Sequence, residues 1–300
     1  MNLALAALTD ELRRLQAEGV KRVSVSEESL ATLRLAAQAA RSAVPPARVA
    51  GSPSAAPAPV RAAPPPEIPA GPPPPVLADL RARLQAFPDK AARWTALRDL
   101  VRQDPHCRAH IRPGKQVVLG VGDVNARIFF VGEAPGAEEE VQGEPFVGPA
   151  GQLLNRMIAA MGLERSQVYI GNIMNWRPEM PVAEGGVQFG NRPPTPAEMA
   201  YCLPYLLAQI ELVDPAVLVA LGATATQGLL GAGTFRALGE VRGRWHDFAG
   251  KPLMVTYHPS YILRNQTNRS KRMIWEDLLK VMERAGMAVS DKQKRYFVDK

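Results

Sequence analysis

Cysteine is nearly missing from this chain: its 300 residues include two, Cys107 and Cys202. Two thiols so far apart in sequence exclude a disulfide framework and a CxxC metal knuckle, and the sparse usage fits a reducing compartment. Long apolar runs are also missing, so no segment reads as a membrane span. Near the start, Asp10 and Glu11 break the apolar run and no cationic stretch precedes it. The expectation is therefore no signal peptide, a cytoplasmic location and no membrane partner. There is no Ser-His-Asp order, no Walker loop and no metal-ligand spacing. Acids are outnumbered by bases, 29 to 36, for a net charge of +7. A polyanionic partner such as nucleic acid suits that balance, although charge alone equally describes a soluble basic protein.

Proline is abundant and unevenly placed. Thirteen of the 28 prolines fall between Pro45 and Pro75, interleaved with alanine. Such a segment buries no core and reads as an extended linker over residues 45–76. Before it, residues 1–44 hold two short amphipathic helical patterns, one with Leu5, Leu8, Leu12 and Leu15 on one face. This helical element is too small to own much of a core. It reads as a docking module for an unknown protein partner, a self-association helix, or an appendage with no separable task. After the linker, residues 77–287 form the main domain and 288–300 a basic tail.

The main domain is organised around Ala126 to Leu154. Ile128, Phe129, Phe130 and Val131 are a continuous apolar run, the pattern of a fully buried strand. The run stops at Gly132 and Glu133. A loop follows with five glycines counted from Gly132 to Gly151, together with Pro135, Pro145 and Phe146. A helix then begins, carrying Leu153, Leu154, Met157, Ile158 and Met161, with Gly162 as its stop. A buried strand, a long loop and a helix are how open α/β folds build ligand sites, at the carboxyl end of the strand.

Three more buried strands are predicted: Gln167–Ile173, Ala216–Leu221 and Leu253–Tyr257. A short edge segment is expected at Gln116–Leu119 and a hairpin arm at Val241–His246. Thr195-Pro-Ala-Glu198 is a capping box with proline at the first helical position, and its helix should run to about Val213. Strands that alternate with helices, each strand a continuous apolar run, argue a parallel sheet covered on both faces. Three of them then deliver Glu133, Asn172 and His258 to one end of the sheet. Singly, each could be an ordinary loop or turn residue. Together they mark a site. Phe146, by its own pattern, reads as a core aromatic.

Several stretches resemble a known family: VGEAPG, GEPFVGPAG, the strand ending in GN with WRP behind it, NRPPTPAE, ALGATAT and HPSYILR. In this order, from about Gly120 to Met282, they are similar to the uracil-DNA glycosylases of family 4, the iron–sulfur type. The resemblance implies a three-layer α/β/α fold with a central, mostly parallel four-stranded sheet. It implies a base-excision repair enzyme that acts on uracil-containing DNA, flips the base and hydrolyses its N-glycosidic bond. Carried over, Glu133 would place the attacking water beside the Gly132 and Ala134 backbone. Phe146 would stack on the flipped base, Asn172 would read the uracil edge, and His258 would stabilise the leaving anion. Ser260, Tyr261 and Arg264 would hold the DNA.

The family holds a four-iron cluster on four cysteines, and here the sequence departs. Cys107 and Cys202 fit as remnants of that site, while Trp176 stands where another ligand is expected. Two thiolates do not satisfy four-cysteine ligation, so the expectation is no cluster and no other cofactor, with Trp176 packing holding its loop instead. A glycosylase for hypoxanthine or xanthine, and a non-catalytic binder of damaged DNA, are the rival readings.

Overall fold

The computed structural model describes residues 74–180, 188 and 190–298. The chain divides into units at Met1–Pro66 and Glu67–Lys300, and every described residue belongs to the second. The expected helical element and nearly all of the linker lie outside the described residues.

Four strands form the parallel heart of the sheet: β2 (Ile128–Gly132), β3 (Tyr169–Asn172), β4 (Val217–Leu221) and β6 (Lys251–Thr256). Two antiparallel edges complete it, β1 (Val121–Gly122) and β5 (Trp245–Phe248), in the order β1-β3-β2-β4-β6-β5. The predicted four-stranded parallel sheet is thus the centre of a six-stranded one. Both edge expectations need correcting. Gln116–Leu119 is not a strand: the Gln116 amide donates to the Glu140 carbonyl at 2.7 Å and that of Val118 to the Asn175 carbonyl at 2.8 Å. The pairing strand comes after it, where Gly122, at a φ of 125°, lets the chain lie against the Val168 carbonyl. The hairpin arm begins at Trp245, because Val241 still belongs to a helical turn.

Each central strand is buried on both faces, which explains the continuous apolar runs. The pleat sends alternate residues to opposite sides. Phe129, Val131, Leu218, Ala220, Leu253 and Val255 face one layer of helices. That layer is α1 (Leu77–Gln85), α2 (Lys90–Gln103), α3 (Pro105–Ala109), α6 (Pro196–Val213) and α7 (Ala223–Leu230). Ile128, Phe130, Val217, Val219 and Met254 face the other. There lie α5 (Pro149–Ala160), α9 (Pro259–Arg264) and α10 (Asn268–Arg284), numbered with the short turns α4 (Glu139–Gln142) and α8 (Leu238–Val241) counted in chain order. The capping box is present: Thr195 Oγ1 accepts from the Glu198 amide, and Glu198 Oε2 from that of Thr195. Residues 288–298 run back over the domain through α11 (Asp291–Lys294), where the Trp275 indole donates to the Gln293 carbonyl at 2.6 Å.

Register decides where the loops converge. Gly132 sits opposite Asn172, Val131 opposite Ala220, and Leu221 opposite Thr256. The carboxyl ends of β3, β2, β4 and β6 therefore line up along one edge.

Candidate active site

At that edge lies a cleft of ≈ 480 Å³, bordered by Glu133, Ala134, Phe146, Asn172, His258, Ser260 and Arg264 among others. The cleft begins with a residue that has no side chain. A Cβ on Gly132 would press against Asn172 Oδ1 and stand 2.5 Å from the Phe146 ring. Glycine here lets the Asn172 amide and the aromatic ring close over the strand end. Phe146 takes a φ of 55°, a left-handed conformation uncommon for an aromatic residue. Its strain is held by neighbours, since Arg165 donates to the Phe146 carbonyl at 3.2 Å and the Pro145 carbonyl at 2.6 Å. Gly151 then allows the first turn of α5 to approach the Phe146 carbonyl, which any side chain there would meet.

Glu139 closes the loop on itself. One carboxylate oxygen accepts from the Val147 and Gly148 amides at 3.0 Å each, and the other from Gly136 at 3.1 Å. Removing it orphans three backbone donors. Glu139→Ala is expected to destabilise the domain by about 2–3 kcal/mol, read as a lower denaturation midpoint in urea with an unchanged slope. An unaltered midpoint would mean that water replaces all three bonds.

Asn172 ends β3 and is 6% exposed, and its Oδ1 has no hydrogen-bond partner. A buried acceptor left open costs about 1–3 kcal/mol. In a cleft, that cost is recovered by a ligand that brings a donor. His258 is the N-cap of α9: its Nδ1 accepts from the Ser260 amide at 3.2 Å and lies 2.9 Å from the Ser260 hydroxyl. Burial, and then the nearby Arg264 charge, push its pKa down to about 4, against the opposing pull of Glu139. The imidazole is neutral at pH 7. With Nδ1 occupied as an acceptor, the proton sits on Nε2, which becomes a donor. The Phe146 and His258 rings lie 5.5 Å apart and tilted by 30°. Gly222 seats the histidine, since a Cβ there would be 2.9 Å from that of His258. Burial raises the Glu133 carboxyl above its usual range, and a hydrogen bond from Thr224 opposes that rise.

The pattern that defines the uracil DNA glycosylase superfamily matches residues 119–279. The chain belongs to that superfamily. Type-4 uracil-DNA glycosylase of Thermotoga maritima is 42% identical over 181 residues, 60% of this chain and 88% of that protein. That of Archaeoglobus fulgidus is 40% identical over 176 residues, 56% of this chain and 83% of that protein. The fold and the order of motifs agree with the resemblance read from the sequence.

Within this superfamily frame, most residues named from sequence do meet at one cleft, while Tyr261 does not border it. Its ring stacks on Tyr257 at 4.3 Å and 14°, with the Arg242 guanidinium 5.3 Å over Tyr257. Sequence reasoning missed Glu139, Arg165 and Thr224. It also missed the buried anchor Glu140, which pairs with Arg112 at 2.8 Å and Arg177 at 2.9 Å. Arg177 in turn donates to Asn191 Oδ1 at 2.7 Å and to the Gly190 carbonyl at 2.7 Å. An acid run followed three dozen residues later by a loop arginine was the available signal.

The residues present do not fit the family's cluster. Cys107 and Cys202 are fully buried free thiols whose pKa values burial pushes up, the opposite of what thiolate ligands need. Trp176, wholly buried, lies parallel to the His110 ring at 4.8 Å, and His106 meets it edge-on at 5.5 Å. Among the described residues, no group of three or more His, Cys, Asp or Glu side chains is placed to hold a metal ion. No described helix is long and apolar enough to cross a membrane.

Proposed function

We propose that this protein is a uracil-DNA glycosylase of base-excision repair and that its substrate is uracil-containing DNA. The observation that carries the reading is the unpartnered Asn172 Oδ1 in a cleft flanked by an aromatic ring and a neutral histidine. Uracil presents N3–H to that oxygen, and O4 to the amide nitrogen. Phe146 offers its face to the flipped base. As the C1′–N1 bond breaks, negative charge grows on uracil, and the Nε2–H of His258 donates to O2. Glu133 orients a water and takes its proton as the water oxygen bonds C1′. Uracil leaves as an anion and is then protonated, which leaves an abasic sugar. Ser260 and Arg264 hold the flanking backbone, and Tyr261, stacked on Tyr257, steadies α9 against it. Single-turnover assays on duplexes carrying uracil, hypoxanthine or xanthine test the reading. Release of uracil should be fastest, and binding without release of any base would replace the glycosylase with a damage binder.

The same reading holds that the enzyme works without a cluster, the aromatic packing around Trp176 holding the loop after β3. Protein purified without oxygen should contain well under one iron and one acid-labile sulfide per chain. Near-stoichiometric values of both would overturn it.

A further inference from the structure

A second cleft of ≈ 440 Å³ carries basic groups for which the reaction has no use. Arg102 at the end of α2, Arg108 on α3 and Lys115 border it. Arg102 and Arg108 are exposed and have no carboxylate or side-chain hydrogen-bond partner among the described residues. Lys115 lies 3.6 Å from Glu140, whose closer partners are Arg112 and Arg177. Cations gathered without counter-charges repel one another, so the arrangement is favourable chiefly when an anion enters.

The position of this patch names the anion. The Val118 amide donates to the Asn175 carbonyl, and the Asn175 amide nitrogen to the Val118 carbonyl at 3.3 Å. Asn175 lies three residues past Asn172, so the patch is at the same edge of the sheet as the active-site cleft. Gln116 also bonds the Val141 carbonyl at 2.8 Å. The α4 turn reaches both clefts: Glu139 grips the Phe146 loop and borders the active-site cleft, while Glu140 meets Lys115 of the basic one. A helix with its side chains is about 10–12 Å across. At about 3.4 Å of rise per nucleotide along a strand, that is roughly three steps of DNA.

We propose that Arg102, Arg108 and Lys115 form a phosphate-binding patch that grips the DNA backbone about three nucleotides to one side of the flipped base. This rests on the glycosylase reading and extends it: the footprint is asymmetric, and affinity depends on the flank that reaches α2 and α3. Each phosphate contact releases counterions, so each contributes about 0.9 to the slope of log K against log salt on duplex DNA.

The test compares parent enzyme with Arg102→Gln/Arg108→Gln, two exposed positions whose loss should leave the fold intact, and with Lys115→Gln separately. Binding is measured from low to moderate salt on a uracil duplex with long flanks. Two further duplexes carry a single nucleotide on the 5′ or the 3′ side of uracil. The double variant should lose nearly two units of salt slope on the long duplex, with an unchanged excision rate at saturating enzyme. On one truncated duplex, parent and variant should converge. An unchanged slope overturns the proposal, as does a difference that survives both truncations, which would reflect only the general field of a basic protein. A fall in the saturating rate overturns it too. Binding is read without catalysis, so failure of the parent to release uracil would count against the glycosylase reading alone.

Discussion

Replacing His258 by alanine is expected to slow single-turnover excision about 10²–10³-fold, the effect of losing one donor aimed at a developing oxyanion, while affinity for uracil-containing DNA stays near the parental value. The separation follows from geometry. In the ground state O2 is a weakly charged carbonyl oxygen, and only as C1′–N1 breaks does it demand a strong donor. The same substitution removes the N-cap of α9, worth about 1 kcal/mol. His258→Asn is the control: its short amide can still cap the Ser260 amide but does not reach as far into the cleft. It should fold like the parent and still be slow. Because the imidazole already titrates near pH 4, His258 should impose no limb on the pH–rate profile between about pH 5 and 8. Its folded value lies below the ordinary histidine value, so neutral His258 favours the folded state fully above about pH 6.5. That contribution is lost as pH falls from there towards 4, where the ring must release the Ser260 amide to charge. Any acid limb of the rate at higher pH than the His258 titration belongs to Glu133, whose carboxyl, raised by burial, must ionise to take a proton from water. If His258→Ala and His258→Asn both excise uracil at the parental rate, the oxyanion donor lies elsewhere.

The readable part of this molecule was the part set by chain-local rules. Ile128–Val131 and Val217–Leu221 are central strands because uninterrupted apolar runs satisfy both faces of a covered sheet. Thr195–Glu198 fixed a helix start because both partners of the capping box lie within four residues. What escaped depends on long-range pairing. Val121–Gly122 is too short and too rich in glycine to carry a period-two signal, and becomes a strand only because β3 offers it an edge. Glu139 and Glu140 look alike in sequence. One side chain turns to three loop amides and the other to arginines from two distant segments. No local pattern separates them. Tyr261 belongs to a matching motif, and its half-buried ring stacks on that of Tyr257. Motif position carries no sign of that stacking, which depends on a residue just past the end of the preceding strand.

Asn172→Asp should change which base fits, and its effect on uracil should be the larger of the two. The side chains have nearly the same shape, and position 172 is buried at the end of a strand, so the new carboxyl is held where the amide was. An amide offers one acceptor and one donor, matching N3–H and O4 of uracil. An ionised carboxylate offers acceptors only, so O4 meets a like partner, and burying that unpaired charge adds a further penalty. Sites built around such a hydrogen bond reject a mismatched partner by about 10⁴–10⁵-fold. Excision of uracil is expected to fall by at least about 10³-fold on that scale. Cytosine has the complementary pattern, an amino donor at C4 and an acceptor at N3. Burial raises a carboxyl's pKa, and the protonated form supplies one donor for N3 and one acceptor for the amino group. Weak release of cytosine should therefore appear and should grow as pH is lowered towards the pKa of the new carboxyl, because the matching form is the neutral one. The measurement is single-turnover release from duplexes with uracil or cytosine at one position, at several pH values. Uracil release at the parental rate would sink the assignment of Asn172 as the base reader. Loss of uracil release without any cytosine release at low pH would keep it as a contact but remove the claim that its donor–acceptor pattern selects the base.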